Sequence, residues 1–194
     1  ISKMATMLKP VTLAFLRQRP FTTAPLAAEI TMKRLFLIRH AKSSWKQPQL
    51  SDHQRPLNKR GKRSIELMAK HLKKQHLNLD ALYSSSAKRA LATAEGLVAA
   101  IAPHSEIEIV DTLYNFDWEP LWQFLSEQPD HLHSLALIGH NPALQDLFHH
   151  LSLEDIDNLP TCGLLELELS IEHWHQLAPG CGQLSQALFP KQIK

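Results

Sequence analysis

Apolar residues along the chain form short runs that alternate with longer stretches of helical periodicity. One apolar run ends abruptly at Arg39 and His40, whereas Ile65, Met68 and Leu72 follow the three-to-four-residue spacing of a helix with one apolar face. The strands that this pattern predicts lie at 34–38, 79–84, 106–110, 134–138 and 164–170. The helices that it predicts lie at 64–72, 86–101, 119–128 and 141–151.

The order of these elements predicts an α/β fold. Strands and helices alternate from 34 to 151, which is typical of parallel strands joined by crossover helices. After them, LLELELS (164–170) alternates strictly between apolar and polar residues, and HWHQL (173–177) and LSQALF (184–189) are predicted to be antiparallel edge strands. We therefore expect a three-layer α/β/α sandwich whose central sheet is mainly parallel and has an antiparallel edge.

Residues 1–31 differ in composition from the rest of the chain. They hold four of the 21 basic residues and one of the 19 acidic residues, and Pro10, Pro20 and Pro25 interrupt any helix. We predict an N-terminal extension at 1–31 that is disordered or not native, with an organelle transit peptide as the alternative. Residues 32–194 then carry a formal net charge of −1, which argues against nucleic acid as a partner.

Two further features bear on location. Cys162 and Cys181 form no CxxC pair and no cysteine pattern of the secreted type. The apolar runs are too short to span a membrane, so no membrane partner is expected. The simplest expectation is that the protein lies in a reducing cytoplasm and that both thiols are free. We expect Cys162 to be buried, with a reactive thiol at that position as the alternative.

Candidate catalytic residues follow three of the predicted strands. Arg39 and His40 end the first strand, Arg89 lies in the first helical turn after the second, and His140 follows the fourth. The carboxyl ends of parallel strands share one edge of a sheet, and ligands of such folds gather there. The four side chains are therefore expected to meet, although they are far apart in the chain.

Two arginines beside two histidines indicate phosphoryl chemistry. Guanidinium groups match phosphate oxygens as bidentate donors, and imidazole is a nucleophile that takes a phosphoryl group covalently and releases it to water. One histidine would attack while the other donates to an equatorial oxygen. Nearby positive charge lowers the pKa of the attacking imidazole and keeps it neutral. Ser85 or Ser86 is expected to cap the following helix, whose first N–H groups would also favour an anion.

Five segments in order resemble a known family, the histidine phosphatase superfamily. Its Arg-His motif is similar to LIRHAKSSW (37–45), and the other segments are LSDHQRPLNKRG (50–61), LYSSSAKRALATAEGL (82–97), LIGHNPAL (137–144) and LPTCGLLELEL (159–169). The resemblance covers nearly all of 32–190 and is greatest to the short phosphohistidine phosphatase branch, the SixA type. It implies a phosphoglycerate mutase-like fold, a histidine phosphatase domain at 32–194, and a reaction without metal or cofactor.

The resemblance also implies roles for individual residues. His40 would be the nucleophile that becomes phosphorylated, Arg39 and Arg89 would hold the phosphoryl oxygens, and His140 would complete the pocket. Candidate substrate or phosphate contacts are Arg55, Asn58, Lys42 and Ser43. Ala41 stands where the superfamily usually has glycine.

No general acid is evident in the sequence. Asp117 and Glu119 are the nearest candidates, and neither lies in a recognisable acid motif. A phosphohistidine needs less assistance than an alkoxide, because its leaving imidazole is readily protonated. The favoured function is removal of phosphoryl groups from histidine on a signalling phosphoprotein, such as a histidine phosphotransfer domain. A broad small-molecule phosphomonoesterase and a non-catalytic phosphoryl-binding module are the alternatives.

Other polar clusters have ordinary interpretations. HLH (131–133) and HWH (173–175) could bind zinc, but no cysteine or acid falls at metal-ligand spacing, which favours surface histidines. The basic run at 59–63 is expected to be a solvated helix start, with docking of an acidic phosphoprotein as the alternative.

Overall fold

The computed structural model describes residues 32–193, so the predicted extension at 1–31 lies outside the described residues. Within this part of the chain, six strands form one sheet and four α-helices pack on it. The strands are β1 (Lys33–Arg39), β2 (Ala81–Ser84), β3 (Ile107–Ile109), β4 (Ser134–Gly139), β5 (Leu164–Leu169) and β6 (Gly182–Leu188). The helices are α1 (Lys59–Leu72), α2 (Lys88–Ile101), α3 (Glu119–Ser126) and α4 (Ala143–Ser152).

The sheet combines a parallel part with an antiparallel edge. Its strand order is β3-β2-β4-β1-β5-β6. The four strands from β3 to β1 are parallel, whereas β5 is antiparallel to β1 and β6 is antiparallel to β5. The register pairs Ile38 with Ile138 and Arg39 with Gly139, so β1 and β4 end at the same level. The predicted mainly parallel sheet with an antiparallel edge is confirmed.

Helices cover both faces of the sheet. Phe36 and Ile38 of β1 belong to the core formed with α1 and α2, and the alternate residues Leu35 and Leu37 belong to the core formed with α3 and α4. All four side chains are fully buried, as period-two alternation between two covered faces requires. This arrangement is the expected α/β/α sandwich. None of the helices in residues 32–193 is long and apolar enough to cross a membrane.

The prediction of an edge strand at 173–177 is wrong, whereas residues 184–188 of the second predicted edge strand do lie in β6. Residues Trp174–Gln176 form a 3-10 turn. The reason is the indole of Trp174, which is fully buried in the α3/α4 core and donates from Nε1 to the carbonyl oxygen of Leu132 at 2.8 Å. His173 lies beside it, with Nδ1 2.9 Å from Asp130 Oδ2.

Helix α1 begins against the loop that follows β1. Asn58 caps the helix, because its Oδ1 accepts from the Gly61 N–H at 2.8 Å. The same side chain donates from Nδ2 to the carbonyl of Ser43, and the Asn58 N–H donates to the carbonyl of Lys42, both at 3.0 Å. Gly61 is buried there, and a Cβ at this position would collide with the Lys42 carbonyl oxygen. A glycine is therefore needed for the close approach of helix and loop.

Substitution Gly61→Ala is expected to destabilise the fold by about 1–3 kcal/mol, the usual cost of forcing extra atoms into a packed site. The colliding atom belongs to the backbone and cannot rotate away. Urea denaturation measures the effect, with Gly139→Ala as the control, because a Cβ there would meet its nearest atoms at an ordinary 3.5 Å. Equal unfolding free energies for the two variants would contradict this account of α1.

Candidate active site

The carboxyl ends of β1, β2 and β4 bring together residues that are distant in the chain. His40 and His140 directly follow a register pair of the parallel sheet, and their ring centroids lie 4.9 Å apart. Arg89, in the first turn of α2, donates from Nε to His40 Nε2 at 3.1 Å and from Nη2 to His140 Nδ1 at 3.2 Å. Arg39 closes β1 on the same edge.

A cavity of about 250 Å³ opens at this edge of the sheet. The residues that were predicted from the sequence and that line it are Arg39, His40, Lys42, Ser43, Arg55, Arg89 and His140. The further lining residues are Trp45, Asp52, Phe116, Asn141 and Thr161.

A backbone carbonyl fixes the tautomer of His40. Nδ1 lies 2.8 Å from the carbonyl oxygen of Ala41, which can only accept, so Nδ1 carries the proton. Nε2 therefore carries the lone pair of the ring, and this lone pair accepts a hydrogen bond from Arg89 Nε. Burial, together with the charges of Arg89 and Arg39, lowers the pKa of His40 to about 4. The imidazole is neutral at pH 7, which is the state in which it can act as a nucleophile.

Asp52 holds the guanidinium of Arg89, which is only 3% exposed. Arg89 donates from Nη2 to Asp52 Oδ2 at 2.8 Å and from Nη1 to the Asp52 backbone carbonyl. Arg55 donates to Asp52 Oδ1 at 2.7 Å, and the Tyr114 hydroxyl donates to Oδ2 at 3.0 Å. Burial acts to raise the pKa of Asp52, but the hydrogen bonds from Arg89 and Arg55 outweigh it and lower the pKa to about 2. The carboxylate is therefore ionised at pH 7.

His140 has the opposite tautomer. Its Nδ1 accepts from Arg89, which has no acceptor atom, so the proton lies on Nε2 and is donated to Ser85 Oγ at 2.8 Å. Ser85 is fully buried and His140 is nearly so. Burial lowers the pKa of His140 to about 3, together with the charge of Arg89 and the charge that His40 gains below its own pKa. His140 is neutral in this arrangement, with its Nδ1 lone pair on the Arg89 side.

The charges that line the cavity favour an anion. Arg39, Arg55, Arg89 and Lys42 contribute positive charge, whereas Asp52 is the one carboxylate in the lining that comes from the described residues. Arg39 donates from Nη1 to the carbonyl of Leu159 at 2.7 Å. Its Nε is buried and has no hydrogen-bond partner among residues 32–193. A guanidinium with a free buried donor suits an oxyanion such as a phosphoryl group.

The mouth of the cavity is open and partly aromatic. Arg55 donates from Nη2 to Ser43 Oγ at 2.6 Å and stacks on Trp45, with 3.3 Å between its Cζ and the ring centroid. The Trp45 side of the mouth faces solvent, since this residue is 74% exposed, and Phe116 on the rim is 50% exposed. Aromatic residues are enriched in protein-binding surfaces, so the mouth has one feature of such a surface.

The sequence profile of the histidine phosphatase superfamily (branch 1) matches residues 35–134, which is more than half of the chain. The chain belongs to this superfamily. It is therefore a phosphatase, a hydrolase that acts on phosphoryl groups. The matched segment contains Arg39, His40 and Arg89, and it ends before His140.

Relatives of this histidine phosphatase share most of its length. An uncharacterized protein of Mycobacterium tuberculosis is 28% identical over 157 residues, which are 76% of this chain and 96% of the relative. The crystal structure of a candidate phosphohistidine phosphatase SixA from Agrobacterium tumefaciens has a TM-score of 0.69 and 26% identity, and the match covers 80% of this chain and 97% of that one. The protein histidine phosphatase SixA complexed with tungstate has a TM-score of 0.71 and 23% identity, over 83% and 99% of the two chains. These likenesses confirm the predicted fold.

Several predicted residues of the histidine phosphatase site lie elsewhere. Asn58 does not line the cavity; both polar atoms of its side chain are used to cap α1 and to hold the Ser43 carbonyl. The structure therefore does not support Asn58 as a phosphate or substrate contact. Asp117 and Glu119 are exposed and do not line the cavity, so this geometry gives neither of them a place as general acid.

The prediction that Ser85 or Ser86 caps α2 is also wrong. The helix begins after Ala87 without a side-chain cap. Ser85 Oγ is engaged with His140, and Ser86 Oγ lies 3.0 Å from His53 Nε2. Both hydroxyl groups are thus committed to histidine side chains.

Sequence reasoning missed Asp52, Ser85 and Thr93 as supports of the site. Thr93 Oγ1 accepts from the Ala41 N–H at 3.0 Å and donates to the carbonyl of Arg89 at 2.6 Å, which joins the loop after β1 to α2. All three lie in segments that resemble the family, and Asp52 had the further signal of its position three residues before Arg55.

The remaining candidate clusters give no second chemical centre. Cys162 is fully buried, and burial raises its pKa to about 12, so it is a protonated thiol at pH 7. Cys162 and Cys181 are both free. No group of three histidine, cysteine or acidic side chains in residues 32–193 is placed to hold a metal ion.

The low pKa values of the two histidines predict a change of stability with pH. Unfolded histidine has a pKa near 6.5, whereas His40 and His140 stay neutral in the fold down to about 4 and about 3. Below pH 6.5 the unfolded state therefore binds more protons, and the free energy of unfolding is expected to fall as the pH is lowered from 7 towards 4.5. Urea denaturation across this range measures the fall.

The fall should be smaller in His140→Gln, because one of the two proton-binding differences is removed. The exposed His104 provides the matched control, and His104→Gln is expected to follow the parent protein. Identical pH dependence in His140→Gln and the parent would show that His140 is not held neutral by the fold.

Proposed function

We propose that the protein is a phosphohistidine phosphatase that removes the phosphoryl group from histidine on a signalling phosphoprotein, through a covalent intermediate on His40. The observation that carries the proposal is the neutral His40, whose Nε2 lone pair lies among the guanidinium groups of Arg39, Arg55 and Arg89. A nucleophile beside clustered phosphate donors is the arrangement that phosphoryl transfer needs.

In the first step, His40 Nε2 attacks phosphorus while the P–N bond of the substrate breaks. The electron pair of that bond goes to the leaving imidazole, which takes its proton from water. Arg39 and Arg89 hold the equatorial oxygens, and the free Nε of Arg39 is one donor available for them. The Ala41 carbonyl keeps the ring in the tautomer that attacks through Nε2.

In the second step, water attacks the phosphorus of phosphorylated His40. The P–N bond breaks, its electron pair returns to Nε2, and inorganic phosphate leaves with the oxygen of that water. Because Nδ1 keeps its proton against the Ala41 carbonyl, the phosphorylated ring carries positive charge and is a good leaving group.

His140 is assigned the role of donor to an equatorial oxygen. In the structure its Nδ1 is unprotonated and accepts from Arg89. The negative charge of a bound phosphoryl group raises the pKa of a neighbouring imidazole, and the role assigned to His140 requires that Nδ1 takes a proton from water or from the phosphoryl group when substrate binds. Ser85 holds the ring in place through Nε2.

The protonation state of the carboxylate that lines the cavity favours a phosphoramidate substrate over a phosphomonoester. Asp52 is the one carboxylate that residues 32–193 contribute to the lining, and a pKa of about 2 leaves it no proton to give at pH 7. An alkoxide leaving group would need a proton from such an acid, whereas the leaving imidazole is readily protonated by water. The open mouth with Trp45 and Phe116 suits a protein that carries the phosphohistidine.

The structural neighbours support the same assignment. One of them is called a protein histidine phosphatase and binds tungstate, a tetrahedral oxyanion like phosphate. A histidine phosphotransfer domain is accordingly the substrate class that we propose. The two free thiols agree with a reducing cytoplasm, which stays a prediction.

Incubation with a histidine phosphotransfer domain carrying ³²P on histidine tests the proposal. We expect the parent protein to release labelled phosphate and to be trapped on quenching with label at His40. The variant His40→Ala should release and trap less than about one thousandth as much, because the nucleophile is lost. The variant His104→Ala is the control and should behave as the parent does.

Three results would contradict the proposal. Label mapped to a histidine other than His40 would defeat the assigned nucleophile. Release from p-nitrophenyl phosphate but not from the phosphoprotein would indicate a small-molecule phosphomonoesterase. Tight binding of the phosphoprotein without turnover would indicate a module that only binds phosphoryl groups.

A further inference from the structure

A second and larger cavity lies beside the catalytic one. It has a volume of about 440 Å³ and runs between α1 and the segment that follows β6. Arg60, Arg63 and Leu67 line it from the helix, and Phe189 and Lys191 line it from the other side. We call this cavity the α1 groove.

The helix presents one continuous face to the α1 groove. Arg60, Arg63, Ser64 and Leu67 follow the spacing i, i+3, i+4, i+7, so they lie along one side of α1. Leu67 and Phe189 contribute apolar surface to the lining, and Arg60 and Arg63 contribute guanidinium groups. Apolar surface beside polar groups is the usual composition of a protein-binding surface.

The charge of the α1 groove has one sign. Arg60, Arg63 and Lys191 are exposed, and no aspartate or glutamate of residues 32–193 lines the groove. None of the three forms an ion pair with a carboxylate of residues 32–193. These cations do not stabilise the fold through salt bridges in that part of the chain, and they are available to an acidic partner.

The α1 groove adjoins the catalytic cavity at one residue. Thr161 lines both, and Pro160 beside it lines the groove only. A polypeptide that places a phosphohistidine against His40 has to continue over the rim of the cavity. On the Thr161 side, that continuation enters the α1 groove.

We propose that the α1 groove docks an acidic segment of the phosphoprotein substrate, the segment that flanks the phosphohistidine. This inference rests on the proposed function and adds the feature of the substrate that is recognised. Carboxylates of the segment would pair with Arg60, Arg63 and Lys191, and an apolar side chain would lie on Leu67 and Phe189.

The test compares two charge reversals on one helix. Arg60→Glu/Arg63→Glu changes the groove, and Lys59→Glu/Lys62→Glu makes the same charge change at exposed α1 positions that do not line it. One substrate is a histidine phosphotransfer domain with acidic residues beside its phosphohistidine. The other is phosphoramidate, which has the same P–N bond and no polypeptide.

For Arg60→Glu/Arg63→Glu we expect KM for the phosphoprotein to rise about tenfold or more, with kcat nearly unchanged, since rim charges act on encounter and binding. Turnover of phosphoramidate should match the parent, which also shows that the variant is folded. Lys59→Glu/Lys62→Glu should change KM for the phosphoprotein less than about threefold, the effect of long-range charge alone. Replacing the acidic residues of the substrate by lysine should restore binding to the groove variant.

Equal KM values for the two double variants would overturn the α1 groove inference while leaving the phosphatase assignment intact. Loss of phosphoramidate turnover in the groove variant alone would also overturn it, because the arginines would then serve the catalytic cavity. If the parent released phosphate from phosphoramidate but not from the phosphoprotein, the proposed function itself would fail, and the inference with it.

Discussion

The guanidinium of Arg89 sets the geometry on which the rest of the site depends. It is nearly buried, and a buried cation is costly unless it is paired and hydrogen-bonded. Asp52 supplies the paired charge, and the planar fork then directs its remaining N–H groups at His40 Nε2 and His140 Nδ1. The orientations of both imidazole rings are thereby fixed before substrate arrives.

Backbone contacts keep that arrangement at the edge of the sheet. Parallel register places the residues after β1 and β4 side by side, and the N–H of Cys162 donates to the carbonyls of Arg39 and His40 at 2.9 and 3.2 Å. Thr93 ties the next residue, Ala41, to α2. The nucleophile therefore stands on elements of the fold rather than on a free loop, so its orientation follows from packing of the sandwich.

The sequence predicted the elements that follow from hydrophobic periodicity. It did not predict the features that depend on contacts of individual side chains. The ends of β1 and β4 were visible because an apolar run stops at Arg39 and His140 follows another, and the fold then brings them together. Asp52 lies in an irregular segment without periodicity, so its pairing with Arg89 depends on tertiary structure that no local pattern reports. Asn58 belongs to a motif-like segment, yet its spacing three residues before Gly61 fits a helix cap equally well. The strand predicted around Trp174 is absent because burial of its indole outweighs the alternation of polar and apolar residues there.

The central claim is that His40 is neutral, with its proton on Nδ1 and its lone pair on Nε2 inside the cavity. Long-range ¹H–¹⁵N correlation spectra of the ¹⁵N-labelled protein, assigned with His40→Ala, measure the protonation of each ring nitrogen directly. At pH 7 and still at pH 5.5, we predict one protonated nitrogen, Nδ1, and one unprotonated nitrogen, Nε2, as a pKa of about 4 requires. A proton on Nε2, or a fully protonated ring at pH 5.5, would contradict the account.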